Sequence, residues 1–410
     1  MEAKNVVNPS RVSWLEEKVV PKIVAALGKT GRSVRCEIRM LGEGLFISAI
    51  HMIDLIFPSR DLGEDRSEIL KFVMKSLTEN ESIQEFLQVE NLLLNEILFY
   101  ESFGKNYTDY PKCVLTIREP LERTVLVLEN VTSLGYESFE WKNGVDMKRT
   151  LAAVRELGKL HARGYVVKEN NPKEFFEIVE NIYPCKFDAS ASPRLIYAVN
   201  NLSMRPVNYL KSVNYDPLFC EKMSVYFERA HEKIFRDCVT PRNELAVFCH
   251  GDITANNILF RVKNDGEFDA MLIDFAQFRY SSPAIDTSTF IFMSCDVKLR
   301  REFPRIFKAY HDVLYAHLEQ QGIQNLERFS YDAFFDDYKR HAIFGCLLAI
   351  FYIPYLHLDP ETTDFAHLEE DIEVYVRELG AAGGNDVSKK LADMLMELKA
   401  QGCLDYILTG

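Results

Sequence analysis

The sequence predicts an α+β protein in two lobes: a small antiparallel sheet with a helix laid against it, then a larger and mostly helical part. Three observations carry this. The first third holds short β-type apolar runs separated by polar linkers with Pro and Gly. The remainder reads as successive segments with apolar residues at helical spacing. At 410 residues the chain is too long for one simple core. The pattern changes at about residues 130–135, so residues 1–130 are assigned to the first lobe and 131–410 to the second.

The elements follow in order. Residues 13–27 suit a helix, with Trp14, Val19, Val20, Ile23 and Val24 on one face, and Gly28 and Gly31 interrupt it. Strands are expected over 34–40, 45–57 and 67–75, and the linker 58–65 has the polar, Pro- and Gly-containing make-up of a hairpin loop. A helix over 82–103 carries Phe86, Val89, Leu93, Ile97 and Tyr100 at helical spacing, and strands over 112–118 and 124–128 complete the sheet. Beyond Glu129, helices are expected over 147–165, 175–183 and 218–238. Two short strands bracket a loop at 250–260, residues 270–273 form another strand, and the rest to Leu408 is largely helical.

Apolar residues make up 47% and charged residues 27%, the mix of an ordinary globular protein. The net charge of −13 argues against a nucleic-acid partner and against docking on an anionic membrane. The longest apolar run, 342–356, is short for a bilayer and contains Pro354, so it reads as a buried helix. The start, Met1-Glu2-Ala3-Lys4-Asn5, lacks the apolar run of a secretory signal. Nine scattered cysteines, an odd count with no Cys-x-x-Cys pair, suit reduced thiols and a cytoplasmic location. Cys249 reads as a small hydrophobe in a strand. No segment points to an obligate protein partner.

The chemistry concentrates in residues 248–260, Phe-Cys-His-Gly-Asp-Ile-Thr-Ala-Asn-Asn-Ile-Leu-Phe, where Asp252 stands five residues before Asn257. Asp274 follows the next apolar strand. Phosphoryl transfer from ATP needs hard oxygen ligands for Mg²⁺ and a separate carboxylate for the proton of the attacking hydroxyl. Asp252 is therefore assigned as the base, and Asn257 and Asp274 as metal ligands. Taken singly, each residue has a plainer reading as turn chemistry or a strand end. The constellation, with His-Gly before the first Asp, favours the catalytic one. His250 is expected to hold the loop through ring hydrogen bonds rather than to act as a base.

These loops resemble those of the aminoglycoside and choline phosphotransferase group of protein-kinase-like folds. Residues 250–290 more closely resemble the ecdysteroid 22-kinase-like family, also described as CHK kinase-like, with its pattern H-G-D-x-W-x-x-N-x-L-F, D-F-Q and R-Y-x-S-P-A-x-D. Here these are His250, Gly251, Asp252, Asn257, Leu259, Phe260, Asp274, Phe275, Arg279, Tyr280, Ser282, Pro283, Ala284 and Asp286. Thr254 replaces the Trp and Ala276 the Gln. Neither departure removes a catalytic group, but Thr254 bears on packing near the acceptor.

The resemblance extends into the first lobe. Gly44 and Ser48 match the nucleotide-covering loop G-x-x-x-S, although Gly42-Glu43-Gly44 alone reads as a plain hairpin turn. Lys75 resembles the phosphate-binding lysine and Glu96 its helix-borne ion-pair partner. Lys75 by itself would pass as a solvated strand end. Residues 125–131 resemble the interlobe hinge, whose backbone at Glu129 and Val131 would meet adenine. His161 is read as structural, and Asp286 as an acid that steadies the catalytic loop from below.

The resemblance implies transfer of the γ-phosphate of ATP, with Mg²⁺, to a hydroxyl of a small molecule such as an ecdysteroid, another steroid or a xenobiotic alcohol. Two alternatives stand beside it. One is a choline- or aminoglycoside-type kinase with a cationic acceptor. The other is a catalytically silent binding protein, against which the complete set of Lys75, Glu96, Asp252, Asn257 and Asp274 argues. A protein kinase fits less well, because no recognisable activation segment follows Asp274.

Overall fold

The computed structural model describes residues 13–40, 48–58, 67–78, 81–118, 120, 123–139, 145–242, 244–358 and 371–409. The chain divides into two compact units, Met1–Tyr136 and Glu137–Gly410. The class is α+β, with the antiparallel sheet in the first unit and helices dominating the second.

The first unit opens with a π-helical turn, Leu15–Val19, that runs into helix α1, Val20–Ala26. Five antiparallel strands follow in the order β1-β2-β3-β5-β4: β1 Arg35–Met40, β2 Ser48–Phe57, β3 Glu68–Leu77, β4 Cys113–Ile117 and β5 Val125–Glu129. Between β3 and β4 lie α2, Glu81–Leu87, and α3, Val89–Glu101.

Side chains alternate across a strand, so each face has its own set. Ile53, Leu55, Phe57, Phe72, Met74, Val125 and Val127 share one core with Leu15, Val19, Val20, Ile23 and Val24 of the first helical segment. Lys75, one residue out of phase with Met74, therefore belongs to the other face, where it meets α3. The register sets Lys75 opposite Ile50 of β2 and Leu126 of β5. The sheet is thus served by helices on both faces, where one had been expected.

The single helix expected over 82–103 is two. Gln88 breaks it with φ 55° and ψ 47°, a left-handed conformation that is unfavourable for a non-glycine residue by about 1–2 kcal/mol. No Gly or Pro announces the break. The helix expected over 218–238 is also divided, into Pro217–Phe227, a π-helical turn at His231–Arg236 and a short turn at Asp237–Val239.

In the second unit α4, Met147–Asn170, starts at Asp146, whose carboxylate accepts from the Arg149 N–H at 3.0 Å and caps the helix. Two small sheets surround the polar loop. Strand β6, Glu137–Ser138, pairs with β8, Ile258–Val262, which pairs with β9, Phe268–Leu272. Strand β7, Val247–Cys249, pairs with β10, Arg279–Ser281.

Helix α5, Ala284–Ser294, begins just after β10, and α6, Phe303–Gln320, packs along α4. Helix α7, Ile343–Tyr355, is the apolar run of the sequence. It packs on α5, and Gly345 lets the backbones meet: a Cβ there would lie 2.3 Å from the Ser288 carbonyl oxygen. Among the described residues no helix is long and apolar enough to cross a membrane. All nine cysteines are free thiols and seven are buried, Cys249 among them.

Candidate active site

Strand β7 delivers the chain to His250-Gly251-Asp252. Gly251 has φ 83°, and a Cβ there would sit 2.1 Å from the Gln277 carbonyl oxygen. Both the backbone angle and the space exclude any other residue. The loop closes on itself through Thr254 N–H to Asp252 O and Asn257 N–H to Thr254 O, each 3.0 Å. The Ala255 N–H donates to Ser294 Oγ of α5 at 2.9 Å.

The loop then passes directly into β8. The Asn257 amide nitrogen donates to the Asp252 carbonyl at 2.8 Å and lies 3.4 Å from its Oδ2. That directs the amide oxygen away from Asp252. Ile258 pairs with Leu272, and the Ile273 N–H donates to Asn257 O at 3.0 Å. Asn257 and Asp274 therefore leave the same end of one two-stranded ladder. Asp274 is left-handed, with φ 67° and ψ 65°. For an aspartate this is a strained position, of order 1–3 kcal/mol, held by its surroundings.

His250 supplies part of that hold. Its Nε2 donates to Ile273 O at 2.9 Å, and its Nδ1 accepts from the Asp252 N–H at 3.3 Å. The neutral tautomer with the proton on Nε2 satisfies both bonds at once. The ring also packs on Phe275, with centroids 4.6 Å apart. One imidazole thus ties the backbone beside Asp252 to the backbone beside Asp274.

Asp286, in the first turn of α5, braces the loop from the other side. Its Oδ2 accepts from the His250 N–H at 2.7 Å and from His161 Nε2 at 3.0 Å, and its Oδ1 accepts from the Gly251 N–H at 2.7 Å. His161, on α4, reaches Tyr310 Oη of α6 through Nδ1 at 2.7 Å. Asp286 and His161 are fully buried. Burial pushes the Asp286 carboxyl up, but His161, His250 and the Gly251 N–H outweigh it and hold the group below the ordinary carboxylate range. Cys249 Sγ lies within 4.8 Å of these groups, yet His161 and Asp286 bond each other directly, which leaves no place for an ion between them.

Asp252 behaves differently. It is half-buried. Desolvation raises its pKa; Lys186 opposes that, and the negative charge of Asp274 adds to it, so the carboxyl stands above its usual range. Lys186 was not singled out in the sequence, since it sits in an irregular segment far upstream with no motif around it. Tyr352 was also missed, because it stands within the apolar helix α7, where an aromatic reads as core. Burial raises the pKa of its hydroxyl, and the Asp252 charge adds to that.

The first unit holds its own pair. Lys75 Nζ donates to Glu96 Oε1 at 2.9 Å and Oε2 at 2.8 Å, and the two side chains are 9% and 1% exposed. Ser48 opens β2 opposite Leu77. Gly44, with residues 41–47, lies outside the described residues. The Glu129 N–H donates to Lys112 O at 2.8 Å, so any backbone contact from Glu129 to a base runs through its carbonyl. Val131 opens a short 3₁₀ turn, capped where Asn130 Oδ1 accepts from the Thr132 N–H at 3.1 Å.

The chain resembles known proteins as follows. The model of the ecdysteroid kinase-like family matches residues 44–323. Among solved structures, an ethanolamine kinase of Plasmodium vivax is similar at 12% identity and a TM-score of 0.46, covering 98% of each chain. The GDP complex of wild-type aminoglycoside 2'-phosphotransferase-IIIa is similar at 12% identity and a TM-score of 0.41, covering 88% of this chain and 97% of that one. No curated protein matches the chain significantly by sequence. The family match spans well over half of the chain and takes in Lys75, Glu96, the His250–Asp252 loop, Asn257, Asp274 and Asp286, so this chain, with its α+β protein-kinase-like fold, belongs to the ecdysteroid kinase-like family.

Proposed function

We propose that the chain is a phosphotransferase that moves the γ-phosphate of ATP to a hydroxyl of a small molecule, with Mg²⁺ as cofactor. The observation that carries this is the joining of Asp252, Asn257 and Asp274 at one end of the β8–β9 ladder. A carboxylate and an amide oxygen are hard ligands of the kind Mg²⁺ takes, so Asn257 and Asp274 fit the ion. When bound, Mg²⁺ would offset the charge of the nucleotide phosphates.

The remaining chemistry belongs to the chain. Asp252 receives the proton of the acceptor hydroxyl, and its raised pKa makes it a stronger base than an exposed carboxylate. Lys75, fixed by Glu96, neutralises the α and β phosphates. Ser48 and Gly44 cover the nucleotide, and the backbone of Glu129 and Val131 receives adenine. His250 and Asp286 position the loop. Nucleotide holding is assigned to residues 1–130, and phosphoryl transfer and acceptor binding to 131–410.

For the acceptor we favour an ecdysteroid or a related steroid or xenobiotic alcohol. Burial lowers the Lys186 pKa and the Asp252 charge opposes that, and a positive charge already acting on Asp252 disfavours a choline- or aminoglycoside-type cation there. No nucleic-acid or membrane partner is invoked, and the free thiols fit the reducing cytoplasm.

The test is incubation with labelled ATP, Mg²⁺ and a panel of steroid alcohols, xenobiotic alcohols, choline and aminoglycosides, read by mass spectrometry for the gain of one phosphate. Phosphorylation of a neutral alcohol supports the reading. Product only from the cationic acceptors would move the chain to the choline or aminoglycoside type. Absence of any product together with absence of a Mg²⁺-ATP-dependent thermal shift would leave a binding protein without a nucleotide site.

A further inference from the structure

Helices α4 and α6 touch backbone to backbone at Gly158, where a Cβ would stand 2.6 Å from the Tyr310 carbonyl oxygen. Their inner faces carry His161 and Tyr310, which meet at 2.7 Å. On the outer side the two helices enclose a groove of about 360 Å³. That lies within the range of small-molecule sites, roughly 300–1,000 Å³. Leu151 and Arg155 line it from α4, and Arg305, Lys308, Asp312 and Val313 line it from α6. Residues at these spacings of three or four share one helix face.

The groove is opposite in sign to the rest of the chain. The sequence carries a net charge of −13, yet the groove holds three cations and one acid. Lys308 is paired: its Nζ donates to the two Asp312 oxygens at 2.7 and 2.6 Å. Arg155 and Arg305 are not paired. Among the described residues neither guanidinium has a hydrogen bond or an ion pair. Arg305 also stands in the first turn of α6, which contains no acid to offset it. The start of a helix is itself positive, so a cation there is unfavourable until a negative charge comes close. Between these charges Leu151, Ala309 and Val313 are half-buried and apolar.

We propose that this groove is a binding site for a phosphate monoester with an apolar body. A guanidinium presents its N–H groups as a planar fork that matches two oxygens at a time. A carboxylate is filled by one such fork. A phosphate monoester offers three outer oxygens and close to two negative charges at neutral pH, enough to take a fork from each helix. Leu151, Ala309 and Val313 receive the apolar part, which inorganic phosphate lacks. The bound monoester ties α4 to α6 on the face opposite His161 and Tyr310. Asp312 and the acidity of the remaining chain disfavour a nucleic acid in the same place.

The experiment is calorimetric titration of the full chain with phenyl phosphate, inorganic phosphate and benzoate, for wild type, R155Q/R305Q, D312N and K173Q/K389Q. The last variant removes two exposed cations elsewhere, beside Glu177 and Asp393. All the altered side chains are exposed, and circular dichroism should show every variant folded. Wild type should bind phenyl phosphate at least about tenfold more tightly than the other two probes. R155Q/R305Q should weaken that binding by at least about tenfold. D312N removes the opposing charge and releases Lys308, so it should tighten binding by about 2–5-fold. K173Q/K389Q should change it by less than about twofold. Sedimentation with phosphatidylcholine vesicles containing phosphatidic acid separates a soluble monoester from a lipid-borne one. No sedimentation is expected; sedimentation that R155Q/R305Q abolishes keeps the site and makes its ligand a lipid. Absence of phenyl phosphate binding to wild type at about 10 mM, or binding that R155Q/R305Q leaves intact, would overturn the site. Equal weakening in K173Q/K389Q would also overturn it, because the attraction would then belong to surface cations in general.

Discussion

Replacing Asp286 by Asn tests the brace beneath the catalytic loop. The carboxylate accepts three buried hydrogen bonds, two at Oδ2 from His250 N–H and His161 Nε2 and one at Oδ1 from Gly251 N–H. An amide of the same size has one oxygen. Whichever way it turns, its NH₂ faces at least one N–H donor and the negative charge is gone. A hydrogen bond to a charged group contributes about 1.5–3 kcal/mol, so D286N should destabilise the loop by at least about 2–3 kcal/mol. By the same scale, amide exchange in the peptide holding His250, Gly251 and Asp252 should accelerate by about 30–150-fold. Because the loop also carries Asp252, turnover should fall while Mg²⁺-ADP binding changes little. The pH dependence has a definite sign. A carboxyl held below its unfolded pKa of about 3.9 contributes stability above that value and loses it as pH falls through the lower folded value. Wild type should therefore lose this contribution only in strong acid, whereas D286N lacks it at every pH and should show a flatter stability profile there. Hydrogen–deuterium exchange with mass spectrometry reads the loop, and urea unfolding by circular dichroism from pH 2 to 7 reads the profile. Unchanged exchange in that peptide with unchanged turnover would refute the brace.

Three further substitutions probe the site. D252N should reduce kcat by about 10²–10⁴-fold with ATP binding nearly intact, and the acid limb of the wild-type rate profile should lie above the ordinary carboxylate range because the base is lost on protonation of a raised carboxyl; a normal rate in the variant rejects Asp252 as the base. D274A should weaken Mg²⁺-dependent nucleotide binding by calorimetry while leaving the left-handed backbone strained, since alanine keeps the Cβ, and an unchanged Mg²⁺ titration argues against its role as a ligand. E96Q leaves the buried Lys75 ammonium without its counter-charge, a change of about 3–5 kcal/mol for a buried pair; a lowered melting temperature with reduced turnover is expected, and kinetics identical to wild type indicate that the pair does not serve the reaction.

Much of the sheet was legible because its signals are local. Alternation across β2 and β3 separates Ile53, Leu55, Phe72 and Met74 from Lys75 without any knowledge of neighbours. The loop at Asp252 was legible for the same reason: Gly251 allows the left-handed backbone the turn needs, and five residues suffice to turn the Asn257 amide back onto Asp252. The break at Gln88 was not legible, since the apolar periodicity runs on through it and no special residue marks the left-handed turn. Lys186 and Tyr352 stayed hidden because each stands in an ordinary context, between Cys185 and Phe187 or within an apolar helix.

The amino-acid sequence by itself determined the order of strands and helices, the face of β3 on which Lys75 stands, and the short polar loop that joins Asp252 to Asn257. Each of these depends on residues within a few positions of one another. Only the tertiary structure decided that Glu96 meets Lys75 across 21 residues, that His161 meets Asp286 and Tyr310 across 125 and 149 residues, and that Cys185, beside Lys186, meets Gln277. Burial makes such pairs selective, because a desolvated charge or N–H group must find a partner. Which partner it finds is settled by how the helices and strands pack.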